Sequence, residues 1–343
     1  MGQILLTILS IGFLMIVHET GHFLAARRFG MRVKTFSIGI GPRIFRHKPE
    51  GSETTYQLAA IPFLAYVQIA GMNPFEEQDP KDKGSYANAS WWGRIITVFA
   101  GPLANYLFAS VLLFGVFAIG GDAKPEPSTR IEIASPDGPA ALSGMKDGDR
   151  IVAVDGKTIA TWDDLTGAVG GSAGKQLDIT VDRAGETMHF KPVPKAGGDN
   201  KGKIFVRQPY IRVKVSVGEA ARRSLMLPPI IVYEQIKGIT LMLTGRIKPE
   251  LSGPVGMFRE VKKSFDKDLT EGFFFVALIS ASIAAFNMLP FPALDGGRLL
   301  FLAFEAVSRR KADQKMEAKI HAIGLAMLLG IVAIVTFREV LPK

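Results

Sequence analysis

The stretch GQILLTILSIGFLMIVHETGHFLAA, residues 2–26, decides the reading of this chain, because His18, Glu19 and His22 stand inside an otherwise apolar run. A hydrocarbon core of roughly 30 Å takes about 20 helical residues to cross, so the run is long enough to span a membrane. It lacks a basic leader region and a small-residue cleavage site, and reads as a retained span, not a secretory signal. Ionisable groups are costly inside a span and mark functional sites by default. On a helix, residues four apart share a face, so both imidazoles reach one metal ion while Glu19 stands beside it.

Three further segments are long enough to cross: Ile95 to Gly121, Gly272 to Leu294, and Ile320 to Phe337, the last needing its flanks. Hydrophobic residues make up 48% of the 343, alongside a net charge of +9, a combination that fits a membrane protein with soluble parts. The cations flank apolar runs and are not interleaved with stacking aromatics, which argues against nucleic acid as a partner. Arg27, Arg28, Arg32, Lys34, Arg43, Arg46, Lys48, Lys81, Lys83 and Arg94 lie between the first two spans. Arg298, Arg309, Arg310, Lys311, Lys315 and Lys319 lie between the last two. The positive-inside rule therefore places loops 27–94 and 296–319 in the cytoplasm, and both termini and segment 122–271 outside it. Cysteine is absent, which excludes disulfides, a thiolate nucleophile and a Cys metal site.

The expected fold is a multi-pass α-helical membrane protein with four transmembrane helices and a membrane-associated β-hairpin region, plus one extracytoplasmic PDZ-like α+β domain. Residues 1–121 form an N-terminal membrane half. Within it, residues 33–72 alternate apolar and polar around Gly39, Gly41, Pro42, Gly51 and Gly71, which reads either as a hairpin dipping into the bilayer or as a small cytosolic β-subdomain. Residues 73–90 read as a mobile loop. Residues 122–196 carry short β-like runs at 130–134, 150–154, 177–183 and 187–191 and a helical stretch at 161–169. The run from Pro139 to Gly156, PAALSGMKDGDRIVAVDG, resembles the PDZ signature. Residues 197–271 read as a basic linker (197–214) and an interfacial amphipathic helix (217–244) that Pro228 and Pro229 break or start. Residues 272–343 form a C-terminal membrane half.

A catalytic zinc takes three protein ligands and leaves a place for water, whose pKa it lowers to roughly 7. Without Cys, the third ligand is a carboxylate or a distant His. Asp295 is the natural choice: it follows Asn287 in NMLPFPALDGG, residues 287–297, where prolines and glycines break the helix. The plain alternative is an Asp capping a helix at the membrane surface. His47, His189 and His321 have no comparable setting and read as ordinary histidines.

These elements together, the embedded HExGH, the later Asn-x-x-Pro-x-Pro-x-Leu-Asp-Gly and an intervening PDZ-like domain, resemble the site-2 protease family of intramembrane metalloproteases. FAGPLAN, residues 99–105, matches that family's Gly-Pro-x-x-Asn element. The likeness covers essentially the whole chain and is greatest to bacterial members that release membrane-held anti-sigma factors, although some of those carry two PDZ domains. It implies that His18, His22 and Asp295 bind one Zn²⁺, that Glu19 is the general base, and that Asn287, with Asn105, contacts substrate backbone or the oxyanion. The residues alone say of the two asparagines only that an amide in a span needs hydrogen-bond partners.

The implied substrates are single-span membrane proteins such as anti-sigma factors, or signal-peptide remnants, cleaved within the bilayer of the bacterial inner membrane. A spanning helix has its carbonyls engaged, so it must unwind before attack, and strand addition to the 33–72 hairpin supplies replacement partners. With the HExxH just before Arg27 and Arg28, water reaches the site from the cytoplasm. The PDZ-like domain then binds a C-terminal peptide or filters substrates by size. A metal transporter and a non-enzymatic scaffold are the competing classes; neither needs Glu19 between the two histidines.

Overall fold

The computed structural model describes residues 2–73, 79, 81–197, 201–247 and 252–341. In chain order its elements are α1 (Gly2–Arg28), β1 (Val33–His47), β2 (Thr55–Ile69), α2 (Trp91–Gly115), β3 (Asp122–Pro125), β4 (Glu132–Ile133), α3 (Pro139–Leu142), β5 (Arg150–Val154), β6 (Lys157–Thr158), α4 (Trp162–Gly170), β7 (Ile179–Arg183), β8 (Glu186–Phe190), β9 (Lys195–Ala196), β10 (Gly202–Lys203), β11 (Val206–Arg207), β12 (Tyr210–Val213), α5 (Val217–Leu243), α6 (Pro254–Lys267), α7 (Leu269–Asn287), α8 (Asp295–Ser308) and α9 (Gln314–Val340). The chain divides into two units: Met1–Gly120 with Ser216–Lys343, and Gly121–Val215.

In the first unit, four helices among the described residues are long and apolar enough to cross a membrane: Gly2–Arg28, Trp91–Gly120, Leu269–Asn287 and Lys315–Val340. They make this a multi-pass membrane protein. Leu14 of α1 packs with Val261 and Phe265 of α6 and Val276 and Ile279 of α7. A second cluster joins Phe23 and Ala26 to Val33, Ile69, Val98 and Leu302. By contrast, α9 leaves Ile323, Leu325, Leu329, Ile334 and Phe337 exposed, as suits a surface solvated by hydrocarbon.

Two span boundaries differ from expectation. The third span stops at Asn287, not Leu294, because Pro290 and Pro292 lack an N–H and disfavour helical backbone in the residue before them. The fourth is a long helix, so the third becomes the shortest of the set. Nor does the proline pair break α5, which runs unbroken from Val217 to Leu243. A proline removes the bond to the carbonyl four residues back, and the Leu225 carbonyl so freed by Pro229 accepts from the Tyr106 hydroxyl at 3.4 Å.

β1 and β2 are long strands that each bend back. Residues 35–38 have partners on both flanks: 65–68 in falling order and 55–58 in rising order, while Arg43–His47 pairs with 56–59. Segment 65–69 therefore forms an edge of the folded-over pair. Gly39 sits at the bend of β1 with φ +89°, and an added Cβ would lie 2.8 Å from the Ala59 carbonyl oxygen. The loop expected at 73–90 lies partly outside the described residues; within it, Tyr86–Asn88 form a short 3-10 turn.

The second unit is built on a four-stranded sheet of order β6-β5-β7-β8. Ile131, Ile151, Leu165, Leu177, Ile179 and Val181 are buried in its core, each of them stabilising by roughly 1.5–3 kcal/mol on burial. Thr161 and Asp164 close a capping box at the start of α4. Residues 197–214 are not a free linker, since β10, β11 and β12 pair back onto β9, β4 and β3; residues 198–200 lie outside the described set.

Candidate metal centre

The helical spacing of α1 sets the rings of His18 and His22 side by side, with centroids 4.8 Å apart and both side chains buried. Their Nε2 atoms are 3.2 Å apart. Asp295 meets them from the start of α8, its Oδ2 lying 3.2 Å from His18 Nε2 and 3.4 Å from His22 Nε2. It is the first residue of α8 and not its cap, a place held by Leu294, so the capping alternative does not describe it. The Pro-rich loop makes this approach possible: an added Cβ on Gly296 would stand 2.2 Å from the Leu289 carbonyl oxygen.

Three donor atoms separated by 3.2 to 3.4 Å are what a single small cation requires. Tetrahedral zinc with ligands at roughly 2.0–2.1 Å holds neighbouring donors about 3.3 Å apart. The ring nitrogens agree with this. His22 Nδ1 is 2.7 Å from the Thr97 carbonyl oxygen, and because a carbonyl can only accept, Nδ1 carries the proton and Nε2 presents a lone pair. Nε2 lone pairs and a carboxylate oxygen converging in a buried site repel one another unless a cation lies among them. The residues therefore fit zinc.

Helix α2 supplies the other walls. Thr97 and Gly101 face His22, and Asn105 faces His18 with its amide nitrogen 3.4 Å from His18 Nδ1. A Cβ on Gly101 would fall 2.2 Å from His22 Nε2, so the glycine of the Gly-Pro-x-x-Asn element leaves room for the imidazole. Glu19, next to His18 in sequence and partly buried, accepts the Val67 N–H at 2.8 Å. The edge segment 65–69 thus passes directly beside that carboxylate. Asn287 is engaged elsewhere, its amide donating to the Ile283 carbonyl of its own helix at 3.0 Å.

Two supports went unread in the sequence. His321 Nδ1 accepts the Ala293 N–H at 2.9 Å and so pins the loop two residues before Asp295, where Ala293 has φ +76°. Its signal was available, since it is an ionisable side chain at the edge of an apolar span. Arg94 forms a two-pronged pair with Glu305 at 2.8 and 2.6 Å, and Trp91 Nε1 donates to the Leu302 carbonyl at 2.9 Å, fastening α8 to α2. The guanidinium of Arg94 holds the Glu305 carboxyl below the usual carboxylate range. Along residues 8–16 of α1, N-terminal to the two histidines, an apolar cavity of about 510 Å³ is lined by Ile16, by Ile38 and Leu58 of the bent strands, and by Phe108 and Phe273.

Known proteins resemble this chain over nearly its whole length. A protein of Fusobacterium nucleatum that carries a zinc metalloprotease name is 31% identical over 340 residues, covering 98% of each chain. Zinc metalloprotease RasP of Geobacillus kaustophilus is 27% identical over 413 residues, 97% of this chain and 96% of its own. Regulator of sigma-W protease RasP of Bacillus subtilis is 26% identical over 412 residues, 97% of both. The family description Peptidase family M50 matches residues 6–331. The chain belongs to peptidase family M50, the site-2 protease family, and is a zinc metalloprotease whose cofactor is Zn²⁺.

Proposed function

We propose that this metalloprotease cleaves peptide bonds within the transmembrane segments of single-span substrates. The observation that carries the reading is the convergence of His18, His22 and Asp295 next to Glu19, whose carboxylate accepts the Val67 N–H of segment 65–69. When bound, zinc supplies Lewis acidity toward water and the scissile carbonyl. His18, His22 and Asp295 hold it, and Glu19 takes the proton of the attacking water. A substrate segment that unwinds loses its i to i−4 bonds, and the edge 65–69 offers backbone partners by strand addition beside Glu19. The apolar cavity between α1 and the bent strands suits the side chains of such a segment.

On this reading loops 27–94 and 296–319 face the cytoplasm, the termini and the unit Gly121–Val215 lie outside it, and cutting falls in the cytoplasm-proximal half of the substrate. The name of the Bacillus relative supports regulators of a sigma factor as the substrate class. The Gly121–Val215 unit is PDZ-like. A cavity of about 430 Å³ between α4 and residues 201–206, lined by Trp162, Leu165, Val169, Ile204 and Phe205, suits an apolar C-terminal peptide. Asn287, as the family resemblance implies, contacts substrate backbone or the oxyanion, which requires its amide to leave the Ile283 carbonyl it bonds here.

The test is cleavage of a model single-span substrate by the purified protein and Glu19→Gln, with zinc quantified in both. Cutting by the wild type, and zinc retained without cutting by the variant, is the expected result. Zinc in both with no cutting of several unrelated spans would favour a scaffold. Zinc in neither would remove the ligand assignment.

A further inference from the structure

The metal site leaves one requirement unmet by the roles assigned so far. A neutral imidazole carries a proton on only one nitrogen, so a ring that presents Nε2 to a metal must place its proton on Nδ1, and that proton needs an acceptor. His22 has one in the Thr97 carbonyl. For His18, the group facing Nδ1 is the Asn105 carboxamide, whose nitrogen lies 3.4 Å away and whose oxygen is buried without a hydrogen-bond partner. The two ends of a carboxamide have nearly the same shape, and a half-turn about its last bond exchanges them. Only with the oxygen toward Nδ1 does the His18 Nε2 lone pair face His22 Nε2 and Asp295 Oδ2.

We infer that Asn105 is a positioning residue for His18: its carboxamide oxygen accepts the Nδ1 proton and thereby aims Nε2 at the zinc. The inference rests on the zinc-site reading above. Asn105 is itself fully buried, and its backbone carbonyl, not its carboxamide, accepts the Ser280 hydroxyl at 2.8 Å. Glycine and asparagine four apart on α2 thus serve two histidines four apart on α1, Gly101 by leaving space for one ring and Asn105 by fixing the proton of the other. This places Asn105 behind the metal ligands and not on the substrate.

Three variants of the full-length protein test this by zinc affinity, measured by chelator competition, and by the visible spectrum of the cobalt-substituted protein. Asn105→Leu removes the acceptor and should weaken zinc binding about 10–100-fold and alter the cobalt bands. Asn105→Asp keeps an oxygen there without an N–H, and should bind zinc within about threefold of wild type, or more tightly, with the cobalt bands unchanged. Ser280→Ala perturbs the same helix contact without touching the carboxamide and should leave affinity unaltered. Wild-type affinity in Asn105→Leu, or a loss in Asn105→Asp as large as the Leu loss, overturns the inference. If Asn105→Leu does not fold, Asn105→Asp decides alone, a tenfold loss refuting the role. A wild type that binds no zinc would instead defeat the underlying site reading.

Discussion

Substituting Gly101 by alanine should empty the metal site while leaving the fold nearly intact. The added Cβ would stand 2.2 Å from His22 Nε2, 2.5 Å from Cε1 and 2.8 Å from Cδ2, whereas ordinary contact begins at 3.4 Å. Relief needs a shift of about 3.4 − 2.2 = 1.2 Å in the very atom that faces His18 and Asp295. Metal–ligand distances tolerate only about 0.2 Å. The ring cannot swing aside freely, since Nδ1 is fixed to Thr97 on the neighbouring turn. Overpacking costs about 1–3 kcal/mol, but replacing glycine within a helix returns about 1 kcal/mol, so the net loss of stability is at most about 2 kcal/mol. The assay is zinc occupancy at buffered free zinc together with cleavage and a thermal melt. Zinc content and cleavage equal to wild type would refute the packing argument, and gross unfolding would show that Gly101 matters to more than the metal.

Val67→Pro removes the N–H that meets Glu19 and interrupts the edge of segment 65–69, so cleavage should fall sharply while zinc content holds; undiminished cleavage would reject strand addition. Arg94→Met leaves the Glu305 carboxylate half-buried without its partner and should cost about 3–5 kcal/mol, most of it recovered in Arg94→Met/Glu305→Met, as read by thermal melts of the wild type and the two variants. In the second unit, burial pushes the Asp149 carboxyl up, but hydrogen bonds from Arg183 and the Lys146 N–H outweigh it and hold the group below its ordinary 3.8. A lowered carboxyl contributes stability above the unfolded value and loses it as pH falls below 3.8 through the folded one. Hydrogen-exchange protection within residues 121–215, corrected for intrinsic rates, should therefore drop below that pH in wild type and show a smaller pH-dependent drop in Arg183→Ala.

The spans and three donor residues were legible because each is written in local chemistry. Four-residue spacing puts His18 and His22 on one face whatever surrounds them, and Pro290, Pro292 and Gly296 announce a broken helix ahead of Asp295. The unread parts belong to pairs of elements. Gly101 gains its meaning only from the imidazole that α1 places 2.2 Å from its absent Cβ, and the acceptor for His22 is a backbone carbonyl, which no side-chain pattern records. The same holds for α5, where Pro228 and Pro229 read by sequence as a break or a start, while in the fold both lie inside the helix and the Tyr106 hydroxyl takes up the Leu225 carbonyl. Residues 197–214 looked like a linker because strands of two to four residues carry no readable alternation and owe their existence to the partners at 195–196, 132–133 and 122–125.

On the proposed function, the contact between Glu19 and Val67 would tie the chemistry to the recognition of an unfolded segment. A base fixed only by its own helix would stand ready beside any water that reached the metal. Here the carboxylate is shared with a backbone N–H on the edge that an extended segment would pair with. On the same proposal, an incoming strand would offer that N–H a carbonyl, and the carboxylate so released would be the one that takes a proton. A segment still wound as a helix has no free carbonyl to offer, because its carbonyls are already bonded within it. The edge can thereby favour unwound substrate at the moment of attack without any element having to move across the site, and Val67→Pro, which removes both the N–H and the restraint on Glu19, probes that link directly.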